Sequence, residues 1–204
     1  MINRKKHIFF LILIALLVQS CAMFSKKRFR KNSEYLTENN IKKLSGNYTF
    51  HPVKRISNSG SKKPNDEIPD SLVYNNAYDF MLNMDYKSSK KFDSIRNSKN
   101  DYTLNLELEN SNRLRIKILE NTKVLKDTFL SGKYKKGMFY LDNKYLKCHG
   151  VPYLFGGCSN NKRRIGITKN GNLLINEAVS NDGAFLIIFA AGYSYNSTYE
   201  YKRK

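Results

Sequence analysis

The sequence predicts a mainly β protein, a single antiparallel meander closed or half-closed into a barrel or sandwich. Three observations carry this. "YTLNLELE" at 102–109 alternates strictly, with Tyr102, Leu104, Leu106 and Leu108 on one side and Thr103, Asn105, Glu107 and Glu109 on the other. That is the period of a half-buried strand. "RLRIKIL" repeats the pattern with Leu114, Ile116 and Ile118, after the short connection "NSN". "RRIGITKNGNLLINEA" sets Asn170-Gly171 between two apolar stretches. That dipeptide readily supplies the positive φ angles of a tight hairpin turn. Many short strands parted by turn residues describe an antiparallel sheet that curls on itself.

The chain opens with Arg4, Lys5 and Lys6, followed by an apolar run from Ile8 to Val18 and then Gln19, Ser20 and Cys21. The run is too short to span a bilayer, which takes roughly 20 residues. It suits the apolar part of a secretory signal, a signal helix over 1–20. Residues 21–40, with Lys26, Lys27, Arg28, Arg30 and Lys31, lack periodicity and read as a flexible basic tether. Each of those cations beside a membrane adds up to about 1 kcal/mol of attraction to anionic headgroups.

A single β-rich domain is expected over 41–204, long enough for one core. "LSGNYTF" at 44–50 starts it with a turn glycine and a β-rich stretch, and "RISNSGSKKPNDEIPD" at 55–70 is a loop by composition. Asp70 or Ser71 would cap a short helix near 71–82 carrying Leu72, Val73, Ala77, Phe80 and Met81. Further strands are expected at 123–131, 133–141 and 144–147. "AFLIIFAA" reads as a buried strand, too short to be a membrane helix, and "STYEYKR" as the last strand.

"LLVQSC", ending at Cys21, resembles the lipobox of bacterial lipoproteins: an apolar residue three or four places before the cysteine and a small residue directly before it. The resemblance implies a diacylglycerol on the Cys21 sulfur, cleavage before it and acylation of the new amine. Two chains suffice for stable attachment where one does not. Ala22 and the basic residues that follow differ from the inner-membrane-retention and surface-export patterns. By this resemblance the protein is lipid-anchored to the outer membrane and faces the periplasm.

The formal charge is +19, and loss of Arg4, Lys5 and Lys6 with residues 1–20 leaves +16. Such a balance first suggests nucleic acid. The export signal argues against it, so an anionic membrane surface or an anionic cell-wall polymer is the better expected partner. The same lysines also make sense as a solvated surface.

"CHGVPYLFGGC" at 148–158 concentrates two of the three cysteines and His149. With Cys21 assigned to lipid, Cys148 and Cys158 form an even pair in an oxidising compartment, a disulfide candidate, with two free buried thiols as the alternative. Closing that loop contributes about 2–3 kcal/mol in the chain-entropy model. Val151–Phe155 between them reads as a turn-bounded strand. Cys148, His149 and Cys158 lack the spacing of a metal site, so neither metal nor cofactor is expected. "GVPYLFGG" resembles the strand entering the catalytic region of NlpC/P60 cell-wall peptidases, which implies a cysteine hydrolase using Cys158 or Cys148. The Asp-Cys-Ser-Gly helix of that family has no counterpart here, and Arg164 stands where its histidine is expected. No catalytic residue is therefore assigned.

The Leu-Ser-Gly-x-Tyr strand, the short helix and the meander together resemble lipocalin-like lipoproteins of the Bacteroidota. This implies a lipocalin-like barrel, although Tyr48 stands near the position of their tryptophan. Asp70-Ser71-Leu72 and Asp93-Ser94-Ile95 resemble the O-glycosylation site of exported proteins in that group. The expected function is a non-enzymatic, membrane-tethered β-domain that binds an envelope protein, an anionic polymer or a small apolar ligand. The peptidase is the alternative. An open interior cavity would favour the apolar ligand, and a filled interior would move function to the outer surface.

Overall fold

The computed structural model describes residues 24, 27–57, 76–82, 100–151, 155–185 and 189–204. Its ten strands are β1 (Gly46–Thr49), β2 (Lys54–Ser57), β3 (Tyr102–Asn110), β4 (Arg113–Glu120), β5 (Lys123–Lys135), β6 (Met138–Leu141), β7 (Tyr145–Val151), β8 (Phe155–Ile167), β9 (Leu173–Phe185) and β10 (Phe189–Tyr201). Two short helices, α1 (Lys27–Asn32) and α2 (Ala77–Leu82), and a 3-10 turn at Ile41–Leu44 accompany them. They form one antiparallel sheet in the order β1-β3-β4-β5-β6-β8-β9-β10-β2, with β7 on the outside of β8.

The alternation of β3 and β4 is translated directly into register. Leu104 lies opposite Ile118 and Leu106 opposite Ile116, all fully or almost fully buried. Their other face carries Glu107, Arg115 and Lys117 to solvent. The β5–β6 turn places Lys136 at φ 53° and Gly137 at φ 78°, the double left-handed geometry that makes two-residue hairpins tight. At the β8–β9 connection Gly171 takes φ 81° and its N–H bonds the Thr168 carbonyl at 2.9 Å.

The sheet is half-closed. Its ladder ends at β2, but just beyond β10 an isolated antiparallel bridge joins Arg203 to Tyr48 of β1. The Thr49 N–H donates to the Lys202 carbonyl at 2.8 Å, and the Lys204 N–H to the Asn47 carbonyl at 2.9 Å. Among the described residues, Leu44, Tyr48, Leu104, Ile116, Phe139, Ile165, Ile175 and Tyr201 are all buried in one cluster inside the sheet. The α2 helix caps one end of it with Ala77, Phe80 and Met81.

Several elements differ from expectation. The stretch 21–40, expected as a tether, is folded onto the sheet from α1 onward: Phe29 is 1% and Leu36 0% exposed. Phe29 packs on Met138 and Leu174, which a polar-looking sequence with isolated apolar residues did not disclose. The short helix expected near 71–82 is present as Ala77–Leu82, with 58–75 outside the described residues. "AFLIIFAA" is not one strand but spans the β9–β10 hairpin, where Phe185 pairs with Phe189. Val151–Phe155 is likewise the β7–β8 connection, its two ends paired with each other. Neither turn carries the Gly or Asn signal that marks turns elsewhere in the chain. The signal helix lies outside the described residues.

Candidate binding face on the β-arm

Strands β8, β9 and β10 are thirteen residues each, longer than the core requires. At the level of α2 they leave the cluster and, joined by β7, run on as a four-stranded arm. From Arg163 to Phe155 the arm extends roughly 25 Å at about 3.3 Å per residue.

A buried ion pair marks the base of the arm. Arg163 and Glu177 lie opposite each other on β8 and β9 and are 5% and 7% exposed. Arg163 Nη2 donates to Glu177 Oε1, and Asn161 Nδ2 donates to the same oxygen at 3.0 Å. The guanidinium lies 5.4 Å from the Phe80 ring of α2. Arg163 Nε and Nη1 have no hydrogen-bond partner among the described residues. Burial lowers the Arg163 pKa from its ordinary value, and the carboxylate of Glu177 opposes that shift.

Above the pair the register builds two cross-strand rows on the same face. The first runs Tyr145, Asn161, Val179, Tyr195, and the second Lys147, Ser159, Asn181, Tyr193. Paired residues in an antiparallel sheet share a face, as do residues two apart along a strand. Tyr145, Tyr193 and Tyr195 are 42%, 56% and 37% exposed. The Tyr193 and Tyr195 rings lie within 8° of parallel with centroids 6.2 Å apart. Ser159 Oγ donates to Asn181 Oδ1 at 3.2 Å. Burial, then the Glu177 carboxylate, pushes the Tyr195 pKa up to about 12, so its hydroxyl stays protonated in neutral solution.

The opposite face of the arm carries the cysteines. Cys148 and Cys158 are directly paired across β7 and β8, their sulfurs bonded at 2.07 Å and their Cα atoms 4.0 Å apart. His149 falls on the other face by strand alternation, in register with Gly157. The geometry therefore does not bring His149 together with the sulfur of its sequence neighbour. Asp182 shares the cysteine face, in register with Cys158.

Of the other residues singled out in the sequence, Cys21, Lys26, Ser71 and Ser94 lie outside the described residues. Lys27 and Arg28 stand in α1, and Arg30 and Lys31 are exposed there. Beside that helix is an open cleft of about 290 Å³ lined by Arg30, Ser33, Glu34, Tyr35, Lys136, Gly137 and Met138. It lies outside the sheet rather than in its interior. Among the described residues no helix is long and apolar enough to cross a membrane.

The tyrosine face was missed in the sequence. Its one local signal is "YSYN", where Tyr193 and Tyr195 alternate with small polar residues. The partners Asn161 and Tyr145 come from other strands and become visible only with the register. Compared with protein-family models, curated proteins and solved structures, the chain matches none.

Proposed function

We propose that this is a membrane-anchored lipoprotein, acylated at Cys21, facing the periplasm from the outer membrane. Its β-domain is non-enzymatic and binds an envelope partner on its outer surface. The observation that carries the binding part is the cluster of side chains packed inside the half-closed sheet among the described residues, which favours recognition on exposed faces of the domain. A lipocalin-like pocket for an apolar ligand would need that space open.

The bond between Cys148 and Cys158 supports the anchor: it leaves Cys21 as the one cysteine of three without a cysteine partner. It also removes support from a thiol hydrolase, which needs a free thiolate. The basic residues after Cys21 add attraction to anionic headgroups.

Maturation tests the reading. Globomycin treatment should retain a precursor of higher apparent mass that still carries radioactive palmitate on Cys21, whereas Cys21→Ser should retain the precursor and abolish the labelling. Unchanged mobility and labelling in both cases would remove the anchor.

A further inference from the structure

We propose that the arm face carrying Tyr145, Tyr193 and Tyr195 binds an anionic polysaccharide, stacking its sugar rings on the tyrosines. The inference rests on the reading of the chain as a non-enzymatic envelope binder, and it names the chemistry of the partner.

The face has the composition that a sugar chain requires. A pyranose ring offers a patch of C–H groups on its flat side and hydroxyls around its rim. Aromatic rings satisfy the first without drying the second, because a tyrosine joins an apolar body to a polar tip. Asn181 stands exposed beside Tyr193 in the second row, its Oδ1 accepting from Ser159 Oγ, and supplies a polar amide next to the ring. An apolar protein partner would desolvate the exposed Lys147 of the second row without pairing it, which costs free energy.

The dimensions suit an extended chain. Tyr145 and Tyr195 stand three strands apart in one row. At about 4.8 Å per strand that is roughly 14 Å, room for an oligosaccharide laid across the strands. The sheet supplies this spacing from hydrogen-bonded backbone, so the tyrosines are held in place before the ligand arrives.

The charge on this face selects the sign. Lys147 lies in the second row and is exposed, and among the described residues Glu177 is the only carboxylate on this face. Glu177 is already tied to Arg163. Asp182 lies on the reverse side with the disulfide. A ligand carboxylate thus meets Lys147 without an opposing charge, in a chain whose formal charge is +19.

A protein this basic will attract any polyanion, so the test separates the tyrosines from the charge. The full-length protein in detergent is titrated with alginate, a polyuronate, and with poly-glutamate, which has the carboxylates but no sugar rings. The Tyr193→Ala/Tyr195→Ala variant should bind alginate about 10-fold more weakly, equivalent to the loss of two modest stacking contacts. Its affinity for poly-glutamate should be unchanged. Tyr145→Ala, at the other edge of the arm, should weaken alginate alone as well. Tyr193→Phe should retain binding, because the ring remains.

Sedimentation with insoluble cell-wall sacculi gives the second arm. Tyrosine-dependent binding to sacculi identifies a wall polymer as the source, and binding to alginate only identifies a free polysaccharide; both support the proposal. Equal binding of alginate by wild type and by the alanine variants would overturn it. So would alginate binding no tighter than poly-glutamate at equal carboxylate concentration. A protein labelled by palmitate but indifferent to both glycans loses this inference alone, whereas one that binds alginate through Tyr193 without acylation loses only the anchor.

Discussion

Arg164 and Asn176 lie opposite each other on β8 and β9, and Arg164 Nε donates to Asn176 Oδ1 at 2.7 Å. Both are at most 1% exposed, although they belong to the outer face of the sheet. The cover is the segment expected to be a tether. The Phe24 and Phe29 rings lie 4.3 and 4.7 Å from the guanidinium carbon. Asn176 in turn donates to the Ser197 carbonyl and to Thr198 Oγ1, which links this cluster to β10. One buried arginine therefore holds the N-terminal segment to three strands.

Arg164→Ala should destabilise the domain by about 2–4 kcal/mol, because it strips Asn176 of a buried partner and leaves a void under two aromatic rings. Arg164→Lys should recover little of this, since an ammonium lacks the planar fork and stacks poorly. Urea unfolding gives the magnitude. Limited proteolysis should show the first new cuts at the basic residues near α1. A variant that unfolds at the wild-type midpoint, with no new cleavage there, would refute the assignment.

How far this was legible in the sequence depends on the residue. The β3–β4 hairpin was, because alternation at Leu104, Leu106, Ile116 and Ile118 is a local pattern that the buried face enforces. The Arg164 cluster was not: Phe29 lies far from Arg164 in sequence, and an arginine in a strand reads as solvent-facing. The same holds for the tyrosine face, since Tyr145, Asn161 and Tyr195 sit on three strands and only their register makes them neighbours. Cys148 and Cys158 were recognisable as a candidate pair by counting, but not as a cross-strand pair on the face opposite to His149.

The bridge between Tyr48 and Arg203 makes a second expectation. Arg203 Nη1 donates to the Lys43 carbonyl at 3.0 Å and Nη2 to the Ser45 carbonyl at 2.7 Å. These bonds staple the segment after β10 to the start of β1 and half-close the sheet. Arg203→Ala should cost about 1–2 kcal/mol, the range for hydrogen bonds to a charged group at a partly solvated site. Amide exchange should rise at Thr49 and Lys204, whose N–H groups bond across the same seam. Unchanged exchange there would mean that the seam holds without the side chain.

Reduction of Cys148–Cys158 should act locally. Among the described strands β7 pairs only with β8, so it can open without unravelling the core. The two cysteines are ten residues apart, a loop whose closure contributes about 2–3 kcal/mol in the chain-entropy model. Converted at 1.4 kcal/mol per decade, protection of the β7 amides should fall about 100-fold in Cys148→Ser/Cys158→Ser. The core amides of Leu104 and Ile116 should keep theirs. Hydrogen exchange read by mass spectrometry separates the two regions, and a uniform loss across the protein would contradict a local role.

Stability should fall on the alkaline side. Burial raises the Tyr201 pKa well above the ordinary tyrosine value and carries Tyr195 to about 12. In the unfolded chain both titrate near 10. The folded state therefore holds the phenolic protons more tightly. The resulting stabilisation is complete below about pH 10 and is lost as pH rises through the folded-state values. For the fully buried Tyr201 the loss approaches about 1.4 kcal/mol per pH unit in that window. Tyr201→Phe should flatten the dependence of unfolding free energy on pH between 10 and 12 while leaving neutral stability within about 1 kcal/mol, the net value of a typical hydrogen bond. Urea titrations across that range provide the measurement, and parallel curves for wild type and variant would show that Tyr201 ionises as readily in the fold as out of it.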